Sequence, residues 1–181
     1  MMTYIFTYIL IIINVIVFFL ISNGKLESEF LGSSYHLIFN RKDYKRLVTG
    51  AFTHEDLIHL LFNMISLYNI GTFVESYFGH WIFLLIYFVS MIVGKILSLL
   101  IRHANHDDYT MSIGASGAIC GLLGAYFMVI LNYYGAAGFS YLLRPMISLV
   151  MMSILPNVDG TSHFCSMGVG MLIAFLIWRV F

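Results

Sequence analysis

From Tyr4 the chain reads YIFTYILIIINVIVFFLI, 18 residues without a charge, a proline or a glycine. An α-helix rises 1.5 Å per residue, so such a segment extends about 27 Å, nearly the ~30 Å depth of a bilayer's hydrocarbon core. In lipid every backbone N–H and C=O needs an internal partner, which leaves only helix bundles and closed barrels as spanning structures. Barrel strands alternate apolar and polar residues; this run does not, so it reads as a helix. The whole chain follows suit. Of its 181 residues 60% are hydrophobic and 10% charged, against about 45–50% and about 25% in soluble domains. Mean hydropathy is +0.90. The sequence therefore specifies an all-α integral membrane protein. Nine Lys and Arg against nine Asp and Glu give no net charge, which argues against nucleic acid as a partner. Cys120 and Cys165 both lie in apolar segments and supply no disulfide framework. No Lys or Arg precedes the first run and no small-residue cleavage site follows it, so it reads as a retained helix and not a signal peptide.

Apolar segments able to span occur near 3–22, 57–74, 81–101, 114–132, 141–155 and 162–181, which predicts six transmembrane helices in one domain covering 1–181. The fifth is short and interrupted by Arg144 and Pro145. A long first loop, about 23–56, mixes charges with Phe, Leu, Tyr and Ile, and is expected to fold against the bundle or the lipid surface. NHDDYT and PNVDG read as short turns.

The polar residues at membrane depth are unevenly placed. His59 and Asn63, four apart, share a face at the start of the second span; Gly114 and Ser116 open the fourth; His163 opens the sixth. Successive crossings reverse direction, so spans two, four and six run parallel and these residues collect on one side of the membrane. Small residues recur at Gly114, Gly117, Gly121 and Gly124 in the fourth span, and at Ser162, Ser166, Gly170 and Ala174 in the sixth. Stripes of that kind let transmembrane backbones approach closely. Pairing the two stripes would carry Ser116 to His163. A serine beside a histidine is a nucleophile beside its general base.

GASG at the head of the fourth span, HLLFNM in the second and a histidine in the small-residue sixth span together resemble the rhomboid family of intramembrane serine proteases, over about Tyr44 to the C-terminus. The resemblance implies a six-helix rhomboid-like bundle and a Ser–His dyad that needs no acidic third member. It implies cleavage of single-span transmembrane proteins near the membrane surface, with membrane lipid as the surroundings and no cofactor. Carried over by position, Ser116 is the nucleophile and His163 the base. His59 and Asn63 match the second-span pair that donates to the oxyanion beside the Ser116 N–H, and Gly114 is the first glycine of the motif, grouped with that oxyanion region. Elementary chemistry supports donors there, since each preorganised one stabilises the developing negative oxygen by about 2.7–4 kcal/mol. Three features depart from the family pattern. Tyr44, Lys45 and Arg46 stand where a Trp-Arg pair is frequent; Ser166 replaces a glycine three residues after His163; and Cys120 replaces an aromatic that packs on the histidine.

Other readings attach to the same residues. Ser116 alone would be a packing residue and His163 alone a structural histidine; their joint placement favours the dyad. Asp159 is a helix cap or a third catalytic member, with capping preferred. Glu75 is expected to tie helix ends together, His54 and His80 to be surface or interfacial, and His36, His103 and His106 to lie in loops. A zinc site lacks both HExxH and a cysteine pair at ligand spacing. Two other classes compete: a catalytically silent relative that binds transmembrane segments, which would lack the serine or histidine, and a small transporter, which would carry more intramembrane charge than Lys95 alone. Orientation divides the signals. The resemblance implies a multi-pass protein of a bacterial cell membrane with a cytoplasmic N-terminus. Lys25, Arg41, Lys42, Lys45 and Arg46 in the first loop point the other way by the positive-inside rule.

Overall fold

The computed structural model describes residues 4–26, 32–138, 140–143, 145 and 159–180. Among them five helices are long and apolar enough to cross a membrane: α1 (Ile5–Ser22), α2 (Leu57–Phe78), α3 (His80–Ala104), α4 (Ser116–Tyr134) and α5 (Gly160–Val180). They correspond to the first, second, third, fourth and sixth expected spans. The fifth, 141–155, lies outside the described residues apart from 141–143 and 145. No β-strand occurs among the described residues; the one extended pairing is an isolated bridge between Ser33 and Ser112.

Local chemistry sets the helix ends. Asp56 caps α2, its carboxylate accepting from the His59 N–H at 2.7 Å, and the helix stops at Gly79, whose φ of +79° no β-carbon favours. That single glycine turns the chain directly into α3. At the other end of α2, buried Glu75 accepts from the Phe6 and Thr7 N–H groups at 3.1 and 2.9 Å, from the Thr7 hydroxyl at 2.7 Å, and pairs with His80 at 2.6 Å. It satisfies donors at the start of α1, which have no partner within their own helix. The expected tie between helix ends is thus a carboxylate shared by α1, α2 and α3.

At the centre stands α4, the most buried of the spans, with Leu122, Ala118, Ala125 and the glycines closed off from the surroundings. The glycine stripe meets the small-residue stripe of α5. A β-carbon at Gly170 would strike the Gly121 carbonyl, and one at Gly124 the Met167 carbonyl, so backbone lies on backbone. Ser166, which stands where a glycine was expected, does not loosen this contact. Its room is made by Gly94 of α3, where a β-carbon would lie 2.6 Å from the Ser166 Cα.

The first loop folds onto the bundle. Ile38 and Leu47 pack with Leu99 of α3. Arg46 is buried, donating to the Gly32 carbonyl at 3.0 Å and bonding Asp43 at 2.6 Å, while Tyr44 is exposed. The arginine thus ties the Gly32 and Asp43 parts of the first loop to each other. Two expectations are corrected. His54 is not at the surface: the tight turn Gly50–Phe52 tucks it beneath the loop, 1% exposed. His103 belongs to the last turn of α3 and not to a loop, and stacks on Tyr35 at 3.9 Å.

Candidate active site

The glycines that bring α4 onto α5 also decide what meets above them. One turn from that contact, Ser116 is the first residue of α4, and its Oγ lies 2.8 Å from His163 Nε2. Both are buried, Ser116 at 7% and His163 at 0% exposure. With the ring proton on Nδ1, the hydroxyl donates to Nε2 at this distance, and the ring is then in position to take the hydroxyl proton. The first N–H groups of α4 have no partner four residues back, and the helix dipole adds partial positive charge at this end.

α2 contributes the next layer. The His59 ring rests against Gly114: a β-carbon there would lie 2.8 Å from His59 Nε2 and 3.0 Å from its Cε1. Asn63, fully buried, donates through Nδ2 to the His59 carbonyl at 3.0 Å, and the same nitrogen stands 3.8 Å from that β-carbon position. The structure thus collects Ser116, His163, His59, Asn63 and Gly114 at the parallel N-terminal ends of α2, α4 and α5.

Gly114 does not begin the fourth helix, as the span 114–132 supposed. It precedes α4 with φ +97°, and its N–H donates to the Gly50 carbonyl at 2.9 Å. That N–H is engaged with the first loop, and the missing side chain of Gly114 leaves space for the His59 ring.

Asp159 is placed as a cap. Its Oδ1 accepts from the Ser162 N–H at 3.0 Å and its carbonyl from the His163 N–H at 3.2 Å. Burial raises its pKa, but Lys95 and Arg102, together with the Ser162 N–H and Ser112 hydroxyl, outweigh burial and hold it below the ordinary aspartate value. Cys120 is buried in a cluster with Leu123, Ile70, Tyr126, Phe127 and Met167. His54 meets the His59 ring edge to face at 5.0 Å; burial and the neighbouring His59 push its pKa down to about 3, so it is neutral at ordinary pH. Among the described residues no three His, Cys, Asp or Glu side chains group closely enough to hold a metal ion.

Sequence reasoning left two participants unplaced. Lys95 was noted only as a rare intramembrane charge, and it proves to reach the Ser112 hydroxyl and Asp159. His54, expected at the surface, lies against His59 because the chain ahead of α2 folds back on it.

Comparison with known proteins adds an independent finding. The profile of the Rhomboid domain matches residues 41–180. The chain is 33% identical over 167 residues to the rhomboid protease GluP of Bacillus subtilis, an alignment covering 87% of this chain and 32% of that protein. It is 32% identical over 163 residues to RHOMBOID-like protein 1 of Arabidopsis thaliana, covering 87% and 41%. With rhomboid-like protease 3 of Toxoplasma gondii it shares 35% over 94 residues, covering 52% and 34%. The chain spans about a third of the length of these curated relatives.

Proposed function

The chain belongs to the rhomboid family, and on that premise we propose that it is an intramembrane serine endopeptidase which cuts single-span transmembrane proteins near the membrane surface with a Ser116–His163 dyad. The observation that carries this reading is the 2.8 Å contact between Ser116 Oγ and His163 Nε2 at the buried head of α4.

In the proposed reaction the Ser116 oxygen attacks the scissile carbonyl carbon while its proton passes to His163 Nε2. The carbonyl oxygen becomes an oxyanion, held by the Ser116 N–H, the His59 ring N–H and the Asn63 amide. As the tetrahedral adduct collapses, the C–N bond breaks and His163 returns the proton to the leaving amine. Water then attacks the acyl-enzyme, His163 takes its proton, and the acid product departs as Ser116 recovers its hydrogen. Asp159 has no part in proton transfer; it holds the end of α5. A six-span bundle, with 141–155 supplying the remaining crossing, and a cytoplasmic N-terminus belong to the same proposal.

An intact transmembrane helix hides its carbonyls in i to i−4 bonds. Favoured substrates accordingly carry small residues at the cut and helix-weakening residues below it. The deciding experiment mixes the purified chain in detergent with a labelled single-span substrate. Cleavage that disappears in both Ser116→Ala and His163→Ala, with the folded state retained, supports the dyad. Cleavage persisting in Ser116→Ala refutes it, and no cleavage or fluorophosphonate labelling by the unmodified chain favours a silent, segment-binding relative.

A further inference from the structure

A lysine inside a transmembrane helix is costly and rarely idle, and the proposed reaction makes no use of Lys95. It is 7% exposed within α3. Lys95, Ser98 and Arg102, spaced three and four apart, present one face of that helix. All three meet a single carboxylate. Asp159 Oδ1 accepts from the Ser98 hydroxyl at 3.0 Å and lies 3.4 Å from Arg102 Nη2; Oδ2 lies 3.7 Å from Lys95 Nζ. Ser112 completes the cluster. Its hydroxyl donates to Asp159 Oδ2 at 2.9 Å and accepts a short hydrogen bond from Lys95. The Ser112 main chain is itself gripped by the first loop, donating to the Ser33 carbonyl at 2.8 Å and accepting from the Ser33 N–H at 3.1 Å.

The register of this cluster matters. Ser112 is four residues before Ser116, and Asp159 is four residues before His163. One 2.9 Å hydrogen bond therefore joins the two chain segments that deliver the two halves of the dyad. The backbone contact of Gly121 with Gly170 fixes α4 against α5 below the dyad, Gly117 packs on the Ser162 and Ser166 hydroxyls beside it, and the Ser112–Asp159 bond ties the two segments ahead of it. We propose that the Lys95–Ser112–Asp159 network is a positioning device that holds Ser116 and His163 in reacting register across the α4–α5 interface, although none of its members touches substrate. This inference rests on the Ser–His reading above. A misplacement of 1 Å in such a pair can cost about 10²-fold in rate, so the network is under demand out of proportion to its contribution to folding.

The test uses the full chain in detergent with Ser112→Ala, which deletes one oxygen, and Lys95→Met, which keeps the bulk of the stem. Thr7→Val serves as a stability control: it removes the bond to Glu75 at the opposite end of the bundle. The network predicts that both site variants lower kcat at least tenfold with KM within twofold, and slow fluorophosphonate labelling of Ser116 by the same factor. Their double variant is no slower than the slower single one, because both act through one set of bonds. Thr7→Val loses melting temperature without losing kcat. If Ser112→Ala and Lys95→Met keep kcat within twofold, or fall no further than Thr7→Val at a matched loss of melting temperature, the network is structural and the proposal is wrong. Should Lys95→Met not fold, Ser112→Ala alone decides. Absence of Ser116 labelling in the unmodified chain overturns the dyad reading, and the network's role with it.

Discussion

Replacing Gly114 by alanine tests the site at its tightest point, through two separable costs. The backbone there has φ +97°, a conformation that costs a residue with a β-carbon about 1–3 kcal/mol. For a chain of this size that corresponds to roughly 2–12 °C of melting temperature. The second cost is steric: the added carbon would stand 2.8 Å from His59 Nε2. A normal contact needs at least about 0.7 Å more, and the imidazole yields more readily than backbone. His59 then leaves its place, and the proposed oxyanion donor, worth about 10²–10³ in turnover, goes with it. Gly114→Ala is therefore expected to lower kcat/KM about 100-fold in a detergent cleavage assay. In a His59→Ala background the ring is absent, so the same substitution retains its thermal cost and loses most of its kinetic one. The reasoning is refuted if Gly114→Ala leaves kcat/KM within threefold, or costs the same factor whether or not His59 is present.

Asn63→Ala and His59→Ala are each expected to reduce turnover by roughly tenfold to a thousandfold while leaving Ser116 labelling detectable, since the Ser116 N–H remains; a kinetically silent but less stable Asn63→Ala would make that amide a structural interhelical group instead. His54 supplies a pH dependence. Its folded pKa of about 3 lies below the unfolded 6.5, so the unfolded chain binds the extra proton and stability falls as pH drops from 6.5 toward 3, by up to about 1.4 kcal/mol per unit. Melting curves of His54→Gln between pH 7 and 4 are expected to be flatter than those of the unmodified chain, and parallel curves would contradict the assignment. At Gly170 a β-carbon meets the Gly121 carbonyl; because backbone cannot step aside, Gly170→Ala is expected to destabilise by about 1–3 kcal/mol in thermal unfolding, and an unchanged midpoint would show the two helices to be further apart.

The candidate site was legible wherever it depended on spacing along a helix. His59 and Asn63 sit four apart, the α4 and α5 stripes repeat every three or four residues, and parity of crossings brings their N-terminal ends together. Positions set by contacts distant in sequence were not legible. Arg46 and His54 look like loop residues until the turn Gly50–Phe52 folds under, and Lys95 gains its purpose from a carboxylate 64 residues away. Gly114 fits the helical stripe by count, yet its positive φ excludes it from the helix. That distinction lies in a backbone angle, and periodicity carries no record of it.

The contact of Gly121 with Gly170 also bears on the membrane as a mechanical medium. A bilayer thicker or thinner than a protein's apolar belt is accommodated by helix tilt, at a fraction of a kcal/mol per ångström of mismatch. Two helices touching backbone to backbone, with no side chain between them to slide or re-pack, tilt as one body. Ser116 and His163 ride on that body and, with the Ser112–Asp159 bond tying their segments together, keep their spacing as it leans. Large apolar side chains face outward on α1 at Ile5, Ile12, Ile16 and Phe19, on α2 at Leu57, Ile58, Leu61 and Phe62, and on α5 at Phe164, Leu172, Leu176 and Trp178. Lipid thickness thereby acts on the tilt of the α4–α5 pair as a whole and not on the spacing between its two helices.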